Sequence, residues 1–209
     1  MNSKPKPINM KNKLHLLPLF ALLTLFFSSC NSEDPVPEND GEVITDLTLT
    51  FQEIDISGNS LGEPFSFKAS DAEGIELNST PEIDIVELER GKTYQMKIGV
   101  SNSIAGEEIT PEISKESDKH QFYFLGTAFL GIDAPANYQY DDEGGIKLGL
   151  DGIVTTVPNP KANTAQLQII LRHDLYKSYP GASDPNFENY VNAGGSSDLD
   201  ITFPFAIKP

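Results

Sequence analysis

From Val43 onward, apolar and polar residues alternate with a period of two, and no other feature restricts the fold as strongly. In "EVITDLTLTFQEID" one side collects Val43, Thr45, Leu47, Leu49 and Phe51, the other Ile44, Asp46, Thr48, Thr50 and Gln52. "PFSFKA" places Phe65 and Phe67 together, and "PEIDIVELE" groups Ile83, Ile85 and Glu87. "KTYQMKIGVSNS" sends Tyr94, Met96, Ile98 and Val100 inward. The pattern continues in "HQFYFLGTAFL", "GGIKLGLDGIVTTV", "AQLQIILRH" and "SDLDITFPFAI", with Gly, Asn, Asp and Pro in nearly every gap. Eight or nine strands without a fixed repeat and without strand–helix alternation predict an all-β fold. The expected form is an antiparallel β-sandwich of immunoglobulin-like character with one short helix; a closed barrel is the alternative. The helix falls in "TPEISKESDKH", with Thr110 as cap, Pro111 at the first helical position and Glu112 in the first turn.

The first 29 residues read differently. Lys4, Lys6, Lys11 and Lys13 make a positive head, no acid precedes Glu33, and Leu14 to Phe27 is apolar except at His15, Pro18 and Thr24. About fourteen apolar residues are too few to span a bilayer, which takes roughly 20, but they suit a signal-peptide core. Phe27-Ser28-Ser29-Cys30 resembles the bacterial lipobox, in which the Cys becomes the lipidated first residue of the mature chain. Residues 1–29 are therefore expected to be a lipoprotein signal peptide and Cys30, the sole cysteine, the lipidation site. Residues 30–42, rich in acids and carrying Pro35 and Pro37, read as a solvated tether. Residues 43–209 form the sandwich domain.

Removing the four signal lysines from 15 basic residues leaves 11 against 31 acids, a net charge of −20. That balance repels nucleic acid, whose recognition needs clustered Lys and Arg, so no nucleic-acid partner is expected. With Cys30 lipidated, the domain has no disulfide and no thiolate metal ligand, and its stability rests on the core.

Four pieces together, "EVITDLTLTF", "GEEITPEISKESDKHQFYF", "ILRHD" and "NAGGSSDLDITFPF", resemble a family of small, uncharacterised Bacteroidetes cell-envelope lipoproteins. The acidic "NSED" after Cys30 is similar to the tag of surface-exported lipoproteins in that phylum. The resemblance implies a lipid-anchored outer-membrane protein, exposed at the surface, with a role beside uptake receptors; it brings no catalytic residue. Some relatives carry the label "type 1 periplasmic binding fold", a two-lobed α/β architecture for which this chain has neither the length nor the alternating helices.

Outside the signal the only histidines are His120 and His173, each beside acids: Asp118 and Asp174. His120 shares strand parity with Phe122 and Phe124, and His173 with Leu167, Ile169 and Leu171, so each sits at the end of an apolar face. Adjacent antiparallel strands can bring such ends to one rim, where His120, His173, Asp118 and Asp174 become candidate ligands for a divalent metal. Hydrogen bonding of the rings to loop carbonyls is the plainer role. The acid-and-glycine turns "SDAEG" and "YDDEGG" lack the full ligand series of a calcium loop and read as β-turns.

The run from Asp174 to Ser197 is long for an irregular connection and rich in aromatic residues. Tyr176, Tyr179, Phe187 and Tyr190 read first as rings that cap the end of the sandwich, with a ligand loop facing a glycan or peptide as the alternative. There is no G-x-S-x-G nucleophile setting, no singled-out carboxylate pair and no phosphate loop. The expected function is therefore a non-enzymatic binding or accessory module with no obligatory cofactor, held to the membrane through Cys30 and partnered by an envelope receptor or glycan. The alternative is a structural or adhesive surface module without a small ligand.

Overall fold

Strand β5 (Thr93–Asn102) shows how the alternation becomes architecture: Tyr94, Met96, Ile98 and Val100 are buried, while Lys97 is exposed. The computed structural model describes residues 43–75 and 80–209. The signal segment, Cys30 and the tether lie outside the described residues. Among the described residues, eleven strands form two sheets. The larger contains β1 (Asp46–Glu53), β2 (Phe65–Ser70), β3 (Glu82–Ile83), β5, β6 (Glu107–Glu108), β8 (Ala136–Tyr140) and β9 (Asp151–Thr156), ordered β3-β2-β1-β5-β9-β8 with β6 paired to β5. The smaller contains β4 (Val86–Glu89), β7 (Gln121–Leu125), β10 (Thr164–His173) and β11 (Ser196–Lys208), ordered β4-β11-β10-β7. The path β1-β5-β9-β8 against β11-β10-β7 reproduces the immunoglobulin A-B-E-D and G-F-C sheets, and β2 and β3 widen the first.

One core lies between the sheets. Leu47, Leu49 and Phe51 of β1, the inward side of β5, and Tyr138 and Val154 meet Phe122, Phe124, Leu167, Ile169, Leu171, Leu199, Ile201, Phe203 and Phe205. Burial of this many apolar side chains, each contributing about 1.5–3 kcal/mol, is the main term holding the sandwich closed.

The expected antiparallel sandwich is present, with one parallel pairing in it: β4 runs alongside β11, Phe205 opposite Val86. Two finer sequence expectations need correction. The alternation in "PEIDIVELE" does not describe one strand. The chain leaves the larger sheet after Ile83 and joins the smaller at Val86, so Val86 and Leu88 are buried and Ile85 is exposed. The helix α1 (Thr110–Lys115) is present, but Thr110 is its first residue and Ile109 its cap. The Thr110 hydroxyl instead accepts from the Val100 N–H and donates to the Val100 carbonyl, tying α1 to β5 while Ile113 enters the core.

Candidate functional site

The register of the smaller sheet assembles one rim. Gln121, at the start of β7, stands opposite Arg172 of β10, so His120 just before β7 meets His173, the last residue of β10. Strands β10 and β11 are successive, and pairing resumes after the long connection with Ser196 opposite His173. A bulge follows: Arg172 pairs with Ser197 but Leu171 pairs with Leu199, leaving Asp198 as an extra residue. Such a bulge re-aims a side chain. Ser197 accepts from Arg172 Nη1 on the outer side of the sheet, whereas Asp198 faces the two histidines.

The imidazole rings of His120 and His173 stack, with centroids 4.4 Å apart and planes 10° from parallel. Both rings aim one nitrogen at the same oxygen: His120 Nε2 is 3.8 Å and His173 Nδ1 is 3.7 Å from Asp198 Oδ2. The opposite nitrogens face acceptors. His120 Nδ1 is 3.3 Å from the Glu116 carbonyl oxygen, and His173 Nε2 is 3.6 Å from Asp174 Oδ1. Side-chain exposure is 4% at His120, 16% at His173 and 8% at Asp198. Burial, with the neighbouring His173, holds the His120 imidazole below its ordinary value. Burial raises the Asp198 carboxyl, with both histidines and Arg172 working against that rise. His120 and Asp198 thus resist carrying charge in this pocket.

Beneath the cluster, buried Arg172 donates to the Gly194 and Gly195 carbonyls, each at 2.6 Å, and to Ser197 Oγ at 2.7 Å, with its guanidinium 5.5 Å from the Tyr190 ring centroid. Gly195 closes the turn at φ +74°, where a Cβ would be driven into the His173 carbonyl oxygen. Lys177 donates to the Ser117 and His120 carbonyls, and burial lowers its amine to about 8.

The sequence candidates separate in space. His120, His173 and Asp174 come together; Asp118 does not. It lines a neighbouring cleft of about 330 Å³ with Lys147 and Lys177. Asp174 is 65% exposed and faces the outer nitrogen of His173, away from Asp198. Three of the four aromatic candidates are committed to packing. Tyr179, Phe187 and Tyr190 join Tyr123, Leu125, Ile170 and Leu175 in a second apolar cluster on the outer side of β7 and β10. Tyr190 stacks on Tyr123 and Phe187 tilts toward it. Only Tyr176 is exposed. The rings therefore form no open platform. The segment covers the sheet instead, and at β7 the Pro185 carbonyl accepts from Phe124 N–H while Asn186 donates to the Phe124 carbonyl.

The turns weighed for calcium also have other employment. The Asp142 carboxylate accepts from the backbone N–H groups of Leu148, Gly149 and Asp151, and Asp71 accepts from that of Glu73. Sequence reasoning missed Asp198. The usable signal was topological: an acid at the start of β11 lies beside the end of β10 whenever the two strands pair across their loop.

Comparison with known proteins found no matching family model, no matching curated protein and no matching solved structure.

Proposed function

We propose that this chain is a lipid-anchored outer-membrane module of the bacterial envelope that acts by binding rather than by catalysis, and that the rim holding His120, His173 and Asp198 is its binding site. One observation supports the reading above the others. Three strand ends deliver both histidines of the domain and a buried carboxylate to one point. Buried polar groups are costly unless partnered, so a cluster of this kind at a strand-end rim is where a ligand adds most. A role beside an uptake receptor follows from the resemblance to envelope lipoproteins and from the predicted lipid anchor at Cys30.

The test of location is direct. Wild-type chain expressed in a bacterium of this envelope type takes up labelled fatty acid and fractionates with outer membranes; Cys30→Ser does neither. Labelling that persists in Cys30→Ser, or a wild-type chain free in the medium, removes the anchored reading.

A second reading has its own support. Ile56 and Ile132 are fully exposed on the β1–β2 and β7–β8 connections, at the end of the sandwich away from the histidines. Apolar tips of this kind suit contact with another macromolecule, as in an adhesive module. A double Ile56→Ser, Ile132→Ser variant that loses surface attachment while keeping the rim intact would favour it.

A further inference from the structure

We propose that His120 Nε2, His173 Nδ1 and the Asp198 carboxylate form a binding site for one divalent transition-metal ion of the zinc or copper class. The inference rests on the reading of the rim as the binding site and names its ligand.

The donor set comes first. Two imidazole nitrogens and one carboxylate oxygen suit zinc, copper or nickel, whereas calcium and magnesium ask for shells of oxygen. The second observation is spacing. Metal–donor bonds to His and Asp are about 2.0–2.2 Å, so two donors on one ion stand at most about 4 Å apart. Both imidazole–carboxylate separations, 3.7 and 3.8 Å, meet that limit and are too long for direct hydrogen bonds. One donor atom from each of the three residues lies within 4.8 Å of the others, and an ion would draw any pair beyond about 4 Å inward.

The third observation is the outer nitrogens. A ligating histidine turns its other ring N–H to a carbonyl or carboxylate, which fixes the tautomer. Here the Glu116 carbonyl faces His120 Nδ1 and the Asp174 carboxylate faces His173 Nε2. The two rings would therefore bind through different nitrogens, Nε2 in one and Nδ1 in the other. Asp118 has no place in the set, and Asp174 is a positioning residue.

A metal lies in the plane of each ring that binds it, so one imidazole must turn out of the 10° stack before both nitrogens face one ion; the packing holds the backbone around them. His120 is fixed by its backbone N–H to the Glu116 carbonyl and by Lys177 on its own carbonyl. His173 and Asp198 are joined through paired strands, and Arg172 ties the turn between them.

The experiment is calorimetric titration of tag-free protein, residues 41–209, with Zn²⁺ and separately Cu²⁺. The unit Gly41–Pro209 contains the whole described core. One ion per chain is expected. His120→Ala, His173→Ala and Asp198→Asn should each lose more than the roughly 10–100-fold in affinity that an outer acceptor is worth. Asp174→Asn should weaken binding about 10-fold, and Asp118→Asn should leave it unchanged. Nitrogen-15 NMR should show His120 shifted at Nε2 and His173 at Nδ1 on zinc addition. Asp198→Asn, which keeps the size of the side chain, guards against mere unfolding, and thermal denaturation of each variant checks it.

Absence of binding by wild-type protein overturns the proposal, as does binding that survives Asp198→Asn or depends on Asp118. Because residues 41–209 exclude Cys30, such a failure leaves the anchored reading to its own labelling test. A Cys30→Ser chain that is still labelled would overturn the anchor and leave the metal site standing.

Discussion

The two ends of the sandwich handle charge in opposite ways. Away from the histidines three ion pairs are short and partly or fully open to water: Lys92 to Glu53 at 2.7 Å, Lys208 to Glu87 at 2.7 Å and Lys161 to Asp133 at 2.5 Å. At the rim the two imidazole contacts to Asp198 are buried and lie at 3.7 and 3.8 Å. Exposed pairs contribute about 0–1 kcal/mol because water already solvates both partners. Buried groups lose that solvation and must regain it from neighbours. The first end is finished as a surface; the second keeps its imidazoles and carboxylate beyond hydrogen-bond reach of one another.

The sharpest way to break this contrast uses two glycines with similar backbone angles. Gly58, in the β1–β2 turn, has φ +81° and open space around it, whereas Gly195 has φ +74° and the His173 carbonyl against it. Gly195→Ala combines left-handed strain with a backbone clash and should cost about 3 kcal/mol or more in denaturant unfolding. Gly58→Ala should cost about 1 kcal/mol, from conformation alone. Equal effects would mean that the rim turn relaxes freely, contrary to a fixed site.

Cations give the next contrast. Arg172→Met removes three hydrogen bonds and strands two glycine carbonyls, for a loss of about 2–3 kcal/mol. Lys92→Met, on the exposed pair, should cost no more than about 1 kcal/mol. The two variants can be compared in one urea series.

Lys177 supplies a pH dependence. Its amine falls from an unfolded value near 10.4 to about 8 in the fold because it is buried. A depressed folded value favours folding fully above the unfolded value, and the contribution is lost as pH falls through the folded one. The difference in melting temperature between wild type and Lys177→Met should therefore shift in favour of wild type as pH rises from 7 to 9. A constant difference across that window would show that the amine titrates normally.

The smallest expected effects are those of the carboxylates in metal-free protein. Asp198→Asn should leave stability within about 1 kcal/mol of wild type or raise it, since a buried charge is removed. Glu53→Gln should change it by less than about 0.5 kcal/mol. A large loss on Asp198→Asn without metal would mark the carboxylate as structural.

Much of the fold was legible because burial on one side of a strand writes itself at period two. The inward residues of β5 and the run Leu199, Ile201, Phe203, Phe205, Ile207 of β11 could be read directly. The break at Asp84 and Ile85 could not, because a strand that changes sheets keeps alternating while its inward side reverses. Thr110 looked like a cap because the sequence does not reveal that β5 would engage its hydroxyl. For the aromatic residues after Asp174, a cap and a ligand loop both stay open in the sequence because density of rings does not distinguish a cover from a platform; the apolar outer side of β7 and β10 decides for the cover. The histidines were visible as a pair, but Asp198 was hidden by a bulge, which shifts register without leaving a mark in composition.

The ion site proposed at the rim is tested by anomalous diffraction at the zinc edge from crystals of residues 41–209 grown with Zn²⁺. One strong peak is expected about 2.0–2.2 Å from His120 Nε2, His173 Nδ1 and an Asp198 oxygen. No peak among these atoms, or a peak on Asp118 instead, would overturn the site.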